Sequence, residues 1–126
     1  MTSVSAVLFA RDLKQVADFY EQAVGMRRQN ADESHVSLDC YGFNLIVHQI
    51  PAHLLHASTD SAARREDAAL RLNFPVQNIA NARETAELLG GCIDARPPAW
   101  AAPNATVFLG HDPEGNVFKV SESRET

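Results

Sequence analysis

A chain of 126 residues, 45% hydrophobic and 21% charged, has the composition of one ordinary globular domain with a substantial core. Its net charge of -5 lacks the basic excess that nucleic-acid binding requires, so we expect no nucleic-acid partner. Without a signal-like N-terminus or an apolar run of about 18 residues, the sequence predicts a cytoplasmic protein that does not engage a membrane.

The first fifty residues predict one β-α-β-β-β unit. Alternating apolar residues over Val4–Ala10 indicate a strand, and Asp12 with Gln15 three positions later indicates a capping box at a helix start. Apolar residues at helical spacing continue to Val24, and Gly25 ends the helix. Three further strands are predicted over Met26–Asn30, His35–Cys40 and Asn44–Gln49.

The same order of elements returns after a linker that contains no sustained period, apart from a possible helical turn at Ala52–His56. Asn78 takes the capping place of Asp12, and the second helix runs to Leu89 before a Gly-Gly stop. Strands are predicted over residues 70–75, 92–95, 105–109 and 117–121. The sequence is thus an internal duplication within a single domain, with unit one at 1–50, a linker at 51–68 and unit two at 69–126.

The segment Asp112-Pro113-Glu114-Gly115-Asn116 predicts a tight hairpin turn, because Pro fixes φ and Gly-Asn tolerates positive φ. The strand that follows alternates in such a way that Lys119 lies in its middle with apolar neighbours on both sides. Cys40 and Cys92 have no metal-type spacing and are expected to be free thiols that behave as small buried hydrophobes.

Two motifs carry a family resemblance, the segment from Ala6 to Leu13 with Phe19-Tyr20 and Gly25, and the turn at Asp112–Asn116. In this order on a duplicated unit they resemble the vicinal oxygen chelate superfamily, which includes glyoxalase I, fosfomycin and bleomycin resistance proteins and extradiol dioxygenases. The resemblance implies an α+β fold of paired β-α-β-β-β units whose mixed sheets curl into a cup with the helices on the convex side. It also implies a homodimer.

The resemblance further implies where a metal would bind, on the first and last strand of each unit. The matching positions here hold Ser5, Ile46, Arg71 and Lys119. Because Arg and Lys are cationic hydrogen-bond donors and Ile has no donor atom for a metal, we expect neither a metal nor another cofactor. The nearest functional resemblance is to the metal-free bleomycin-resistance type of protein.

Strand parity predicts that Arg71 and Lys119 line the cup, since large apolar residues occupy the opposite parity (Leu70, Leu72, Phe74, Phe118 and Val120). Two buried cations require a carboxylate, which could come from Asp39, from Glu122 or from a ligand. Apolar walls with two cations suit a small anionic organic molecule better than a cationic glycopeptide antibiotic.

We therefore predict a binding protein for a small anionic molecule, with no catalytic residue assigned. The predicted ligand-binding residues are Arg71, Lys119, His48, Ser5, Ile46, Phe9, Asn73 and Trp100, of which Trp100 would act as an aromatic lid. One alternative is a lyase, isomerase or dioxygenase that uses a relocated metal or acid-base chemistry through His48 and Lys119. Another is a structural dimer whose cup is filled by side chains.

Overall fold

The computed structural model describes residues 4–55, 64–102 and 104–122. Its strands are Ser5–Ala10 (β1), Arg27–Ala31 (β2), His35–Cys40 (β3), Phe43–Gln49 (β4), Asn73–Val76 (β5), Cys92–Ile93 (β6), Val107–His111 (β7) and Val117–Glu122 (β8). The helices are Leu13–Phe19 (α1), continued by a π-helical segment over Tyr20–Val24, and Ile79–Leu88 (α2). A short 3-10 turn covers Ala52–Leu54, and His56 of the predicted turn lies outside the described residues. None of these helices has the length and hydrophobicity needed to cross a bilayer.

The strands form two four-stranded mixed sheets, ordered β1-β4-β3-β2 and β5-β8-β7-β6. In each sheet the first and last strands of a unit pair in parallel, and the remaining neighbours pair antiparallel. The predicted duplication of an α+β unit is therefore confirmed. The two sheets do not join into a closed barrel.

One hydrophobic core connects the two units. It contains four aromatic rings, Phe19, Tyr20, Phe74 and Phe118, whose contacting centroids lie 5.3 to 6.2 Å apart. Gly91 allows this packing, because a Cβ atom at that position would stand 2.3 Å from Cε2 of Phe19. Gly91 is thus required by its close approach to the first helix, whereas Gly90, with φ at 94°, ends α2.

The two helices begin in the same way. The Asp12 side chain accepts a hydrogen bond from the Gln15 amide at 3.0 Å, and the Asn78 side chain accepts one from the Asn81 amide at 2.9 Å. At the next position the pattern repeats, because the Leu13 amide donates to Gln49 (3.2 Å) and the Ile79 amide donates to Glu122 (3.0 Å). Both acceptors end the last strand of their own unit, so the duplication extends to the helix caps.

The turn between β7 and β8 ties the units together. Asp112 is fully buried and accepts hydrogen bonds from the Tyr20 hydroxyl (2.9 Å), the Glu114 and Asn116 amides (2.9 and 3.0 Å) and the Asn116 side chain (2.9 Å). Glu114, also buried, accepts from the amides of Arg11 (2.9 Å) and Asp12 (2.8 Å). The predicted capping box is therefore only half present, because Glu114 and not Gln15 satisfies the Asp12 amide.

Unit two departs from prediction at the start of β5. The strand begins at Asn73, three residues later than expected, and Leu70 is 72% exposed although its parity predicted burial. The neighbouring strand gives the physical reason for Leu70. In the parallel register Leu70 would stand opposite Asn116, one residue before β8 begins at Val117, so it has no strand residue with which to pair.

The two cysteines are free and partly buried. Burial raises the pKa of the Cys40 thiol, and burial also raises the pKa of the Cys92 thiol. Neither thiol has the lowered pKa that marks a reactive cysteine.

Candidate functional site

The open face of the first sheet, on the side away from the helices, is accessible and carries both apolar and polar side chains. The parallel register of β1 and β4 sets Ser5 beside Asn44, Val7 beside Ile46 and Phe9 beside His48. Val7 is 52% exposed and Phe9 is 57% exposed, whereas the alternate residues Leu45 and Val47 are fully buried against the core. Four of the predicted ligand-binding residues (Ser5, Phe9, Ile46 and His48) therefore share this face.

His48 is oriented by its neighbours. Its ring lies 5.8 Å from the Phe9 ring, and its Nδ1 atom is 2.9 Å from the carbonyl oxygen of Gln49. Because a carbonyl only accepts hydrogen bonds, Nδ1 carries the proton and donates it. With Nδ1 donating to Gln49, Nε2 is the ring nitrogen left to contact a bound molecule.

The open face of the second sheet is cationic. Lys119 is partly exposed between the buried residues Phe118 and Val120, and the register sets it beside Asn73 on β5 and Leu109 on β7. Its Nζ atom lies 5.4 Å from the centroid of the Trp100 ring, in the geometry of a cation–π contact. Trp100 itself is 61% exposed. Trp100, Asn73 and Lys119 therefore form one cluster.

Arg71 lies just before β5 and is exposed. In the part of the chain that the structure describes, neither Arg71 nor Lys119 takes part in an ion pair. Of the two carboxylates considered as partners, Glu122 instead caps α2, and Asp39 lies opposite Arg27 on the β2–β3 pair. Among the described residues, neither candidate carboxylate therefore forms an ion pair with Arg71 or Lys119.

The predicted residues thus lie on two separate open faces in a single chain. Between the sheets, a mainly apolar cleft of about 160 Å³ is lined by residues that include Val7, Leu72 and Val117. A smaller cavity of about 90 Å³ includes Asn73 next to Cys40 and Phe43. Both spaces are smaller than the roughly 300–1,000 Å³ typical of small-molecule sites.

The four positions that correspond to the family's metal ligands do not fit a divalent ion. Arg71 and Lys119 present cationic donors, Ile46 presents only carbon, and Ser5 is a lone hydroxyl on an exposed strand. Across residues 4–55, 64–102 and 104–122, no three His, Cys, Asp or Glu side chains come together in a way that could hold a metal. No step through a metal is therefore derived.

A third cavity, of about 540 Å³, involves residues that the sequence did not single out for function. It lies where the β3–β4 turn, the end of the π-helical segment and the start of α2 meet. The sequence predicts Tyr41 and Gly42 only as a turn between two strands, and Asn78 only as the N-cap of the second helix. Nothing in one unit's sequence indicates the cavity, because its wall is drawn from both units.

Comparison with known proteins places these observations in a family. The model of the glyoxalase-like domain matches residues 5–121. No curated protein is similar enough in sequence to count as a match.

Three solved structures illustrate the similarity of fold. A glyoxalase/bleomycin resistance protein from Albidiferax ferrireducens is 16% identical with a TM-score of 0.67, covering 96% of this chain and 98% of that one. A glyoxalase/bleomycin resistance protein/dioxygenase family enzyme from Burkholderia phytofirmans is 20% identical with a TM-score of 0.67, covering 97% and 98%. A genomically encoded fosfomycin resistance protein from Listeria monocytogenes is 14% identical with a TM-score of 0.66, covering 100% and 93%. At such identities the likeness concerns the fold.

Proposed function

The chain belongs to the glyoxalase-like domain family, and from that premise we propose that it binds a small anionic organic molecule, without a metal, on the open faces of its sheets. The observation that carries the proposal is Lys119. A partly buried ammonium group in the middle of a strand contacts an indole ring and has no carboxylate partner among the described residues. A ligand carboxylate would supply the missing charge.

The surroundings of Lys119 favour a carboxylate with an apolar body. Arg71 offers a planar fork of donors, and the Asn73 amide adjoins Lys119 in the register. The Trp100 ring, already over the ammonium group, is placed to cover the apolar part of a ligand as a lid. On the other sheet, Phe9 and Ile46 offer apolar surface, and Nε2 of His48 offers an acceptor for a ligand hydroxyl.

A second copy of the chain completes the site in this proposal. Val7 and Phe9 are each more than half exposed, and large apolar side chains grouped on a sheet face are normally covered. Pairing two chains about a two-fold axis would bring the apolar patch formed by Val7 and Phe9 of one chain opposite the cationic face of the other. The site would then have an apolar wall and a cationic wall.

Titration calorimetry with benzoate and hexanoate tests the proposal. We expect both acids to bind, and Lys119→Met or Arg71→Ala to weaken binding by about 1.5–3 kcal/mol, the range for a hydrogen bond to a charged group. Lys14→Met is the matched control, because Lys14 is 87% exposed on α1 and pairs only with Asp18 and solvent. Equal binding of benzyl alcohol and benzoate, or benzoate affinity unchanged by Lys119→Met, would refute the proposal.

A further inference from the structure

The 540 Å³ cavity is lined by none of the eight residues predicted to bind the anionic ligand, and its volume falls within the roughly 300–1,000 Å³ typical of small-molecule sites. It is bounded on one side by the tip of the β3–β4 hairpin and on the other by the first turns of α2. Its main polar lining residues are Gln22, Arg27, Asp39, Tyr41, Gln77 and Asn81. Both units of the duplication contribute to its wall.

Tyr41 is the unusual residue of this cavity. Its φ is 51°, and no other non-glycine residue in the described ranges has a positive φ. With Gly42 at φ 85° it forms the two-residue turn between the paired residues Cys40 and Phe43, a type I′ geometry whose first position favours Asn, Asp or Gly. A tyrosine there is unfavourable for the backbone, and its side chain gains little from packing because it is 74% exposed. Folding does not account for this ring, whereas contact with a ligand does.

The polar wall is balanced in charge. Arg27 and Asp39 lie directly opposite each other in the β2–β3 register, and the other polar groups of the lining are carboxamides and hydroxyls. Such a wall both donates and accepts hydrogen bonds but offers no net charge to attract an ion. Ala23, Val76 and Ala82 add an apolar floor. A ligand that matches this surface has a hydroxyl-rich edge and an apolar ring face.

We propose that the cleft binds a neutral saccharide, of one or two rings, as a site independent of the anion site on the sheets. The ring face of the sugar stacks on Tyr41, as apolar faces stack on exposed aromatic rings. Its hydroxyls donate to Asp39 and accept from Arg27, and the carboxamides of Gln22 and Asn81 serve the remaining hydroxyls. Because the wall has one cation and one anion, a charged sugar gains no advantage.

Saturation-transfer and chemical-shift NMR with D-glucose, D-galactose and maltose test the site on the full chain. We expect at least one of these sugars to shift the amide signals of Tyr41, Arg27 and Asn81. Tyr41→Phe, which keeps the ring, should bind within about twofold of the native protein, and Arg27→Met should bind about 5- to 10-fold more weakly. Lys119→Met should leave sugar binding unchanged, which separates this proposal from that for the sheet faces.

Tyr41→Asn is the decisive variant because it separates folding from binding. Asparagine is favoured at this turn position, so the melting temperature should rise by about 2–5 °C, while sugar affinity falls at least tenfold. Sugar binding unchanged by Tyr41→Asn would overturn the proposal. So would the absence of shifts with all three sugars, or shifts at this cleft with benzoate or adenosine in place of the sugars.

Discussion

Replacing Glu114 by glutamine tests the link between the two units. Each carboxylate oxygen accepts one backbone amide, Arg11 at 2.9 Å and Asp12 at 2.8 Å, and the side chain is only 6% exposed. In glutamine one oxygen becomes an NH2 group that faces an N–H donor, so one hydrogen bond to a charged group is lost, at a cost of about 1.5–3 kcal/mol. The other bond becomes neutral and weaker, while the cost of burying a charge is relieved. We expect a net loss of about 2–3 kcal/mol in the free energy of unfolding.

Urea unfolding followed by circular dichroism measures this loss as a lower midpoint at constant slope. Glu122→Gln is the matched control, since Glu122 accepts a single amide, that of Ile79 at 3.0 Å. In unit one the side-chain oxygen of Gln49 already accepts the corresponding amide, that of Leu13. Glu122→Gln should therefore lower the free energy of unfolding by less than about 1 kcal/mol. Equal midpoints for the two variants, or a native midpoint for Glu114→Gln, would refute the reasoning.

Two further predictions concern the exposed side chains of Val7 and Phe9 and the buried hydroxyl of Tyr20. Light scattering at micromolar concentration should give the mass of a dimer, because the face carrying Val7 and Phe9 is exposed in one chain, and a monomer would contradict this. Burial, and then the charge of Asp112, raises the pKa of Tyr20 well above its usual value of 10.0. The contribution of Tyr20 to the free energy of unfolding is therefore complete below about pH 10 and is lost as the pH rises further. We expect the free energy of unfolding to fall above pH 10 in the native protein and to fall less steeply in Tyr20→Phe. Parallel slopes for the two proteins from pH 9 to 11 would show that Tyr20 is not responsible.

The fold could be predicted from the sequence because its signals are local and occur twice. Asp12 and Asn78 each stand one residue before a helical apolar stripe, and the structure places both as N-caps. The alternation around Phe118 and Val120 likewise identified the buried side of the last strand. Period and capping depend on neighbours within a few residues, which a sequence displays directly.

The partners of charged residues could not be predicted, because they depend on distant segments. Glu114 was interpreted as the free position of a turn, yet its partners lie 102 and 103 residues earlier in the chain. Leu70 had the right parity for burial but no neighbouring strand, since β8 starts too late to pair with it. Parity alone cannot show where pairing stops.

The contact between Glu114 and the start of α1 also determines when the first helix can be completed. When synthesis of unit one ends at residue 50, the acceptor for the Arg11 and Asp12 amides, Glu114, still lies 114 − 50 = 64 residues further along the chain. At translation rates of about 5–20 residues per second this leaves an interval of roughly 3–13 s. During that time the nascent first unit lacks a buried hydrogen-bond partner that its later half will supply. The two units therefore differ during biosynthesis, because the first unit cannot form these two hydrogen bonds until Glu114 of the second unit has been made.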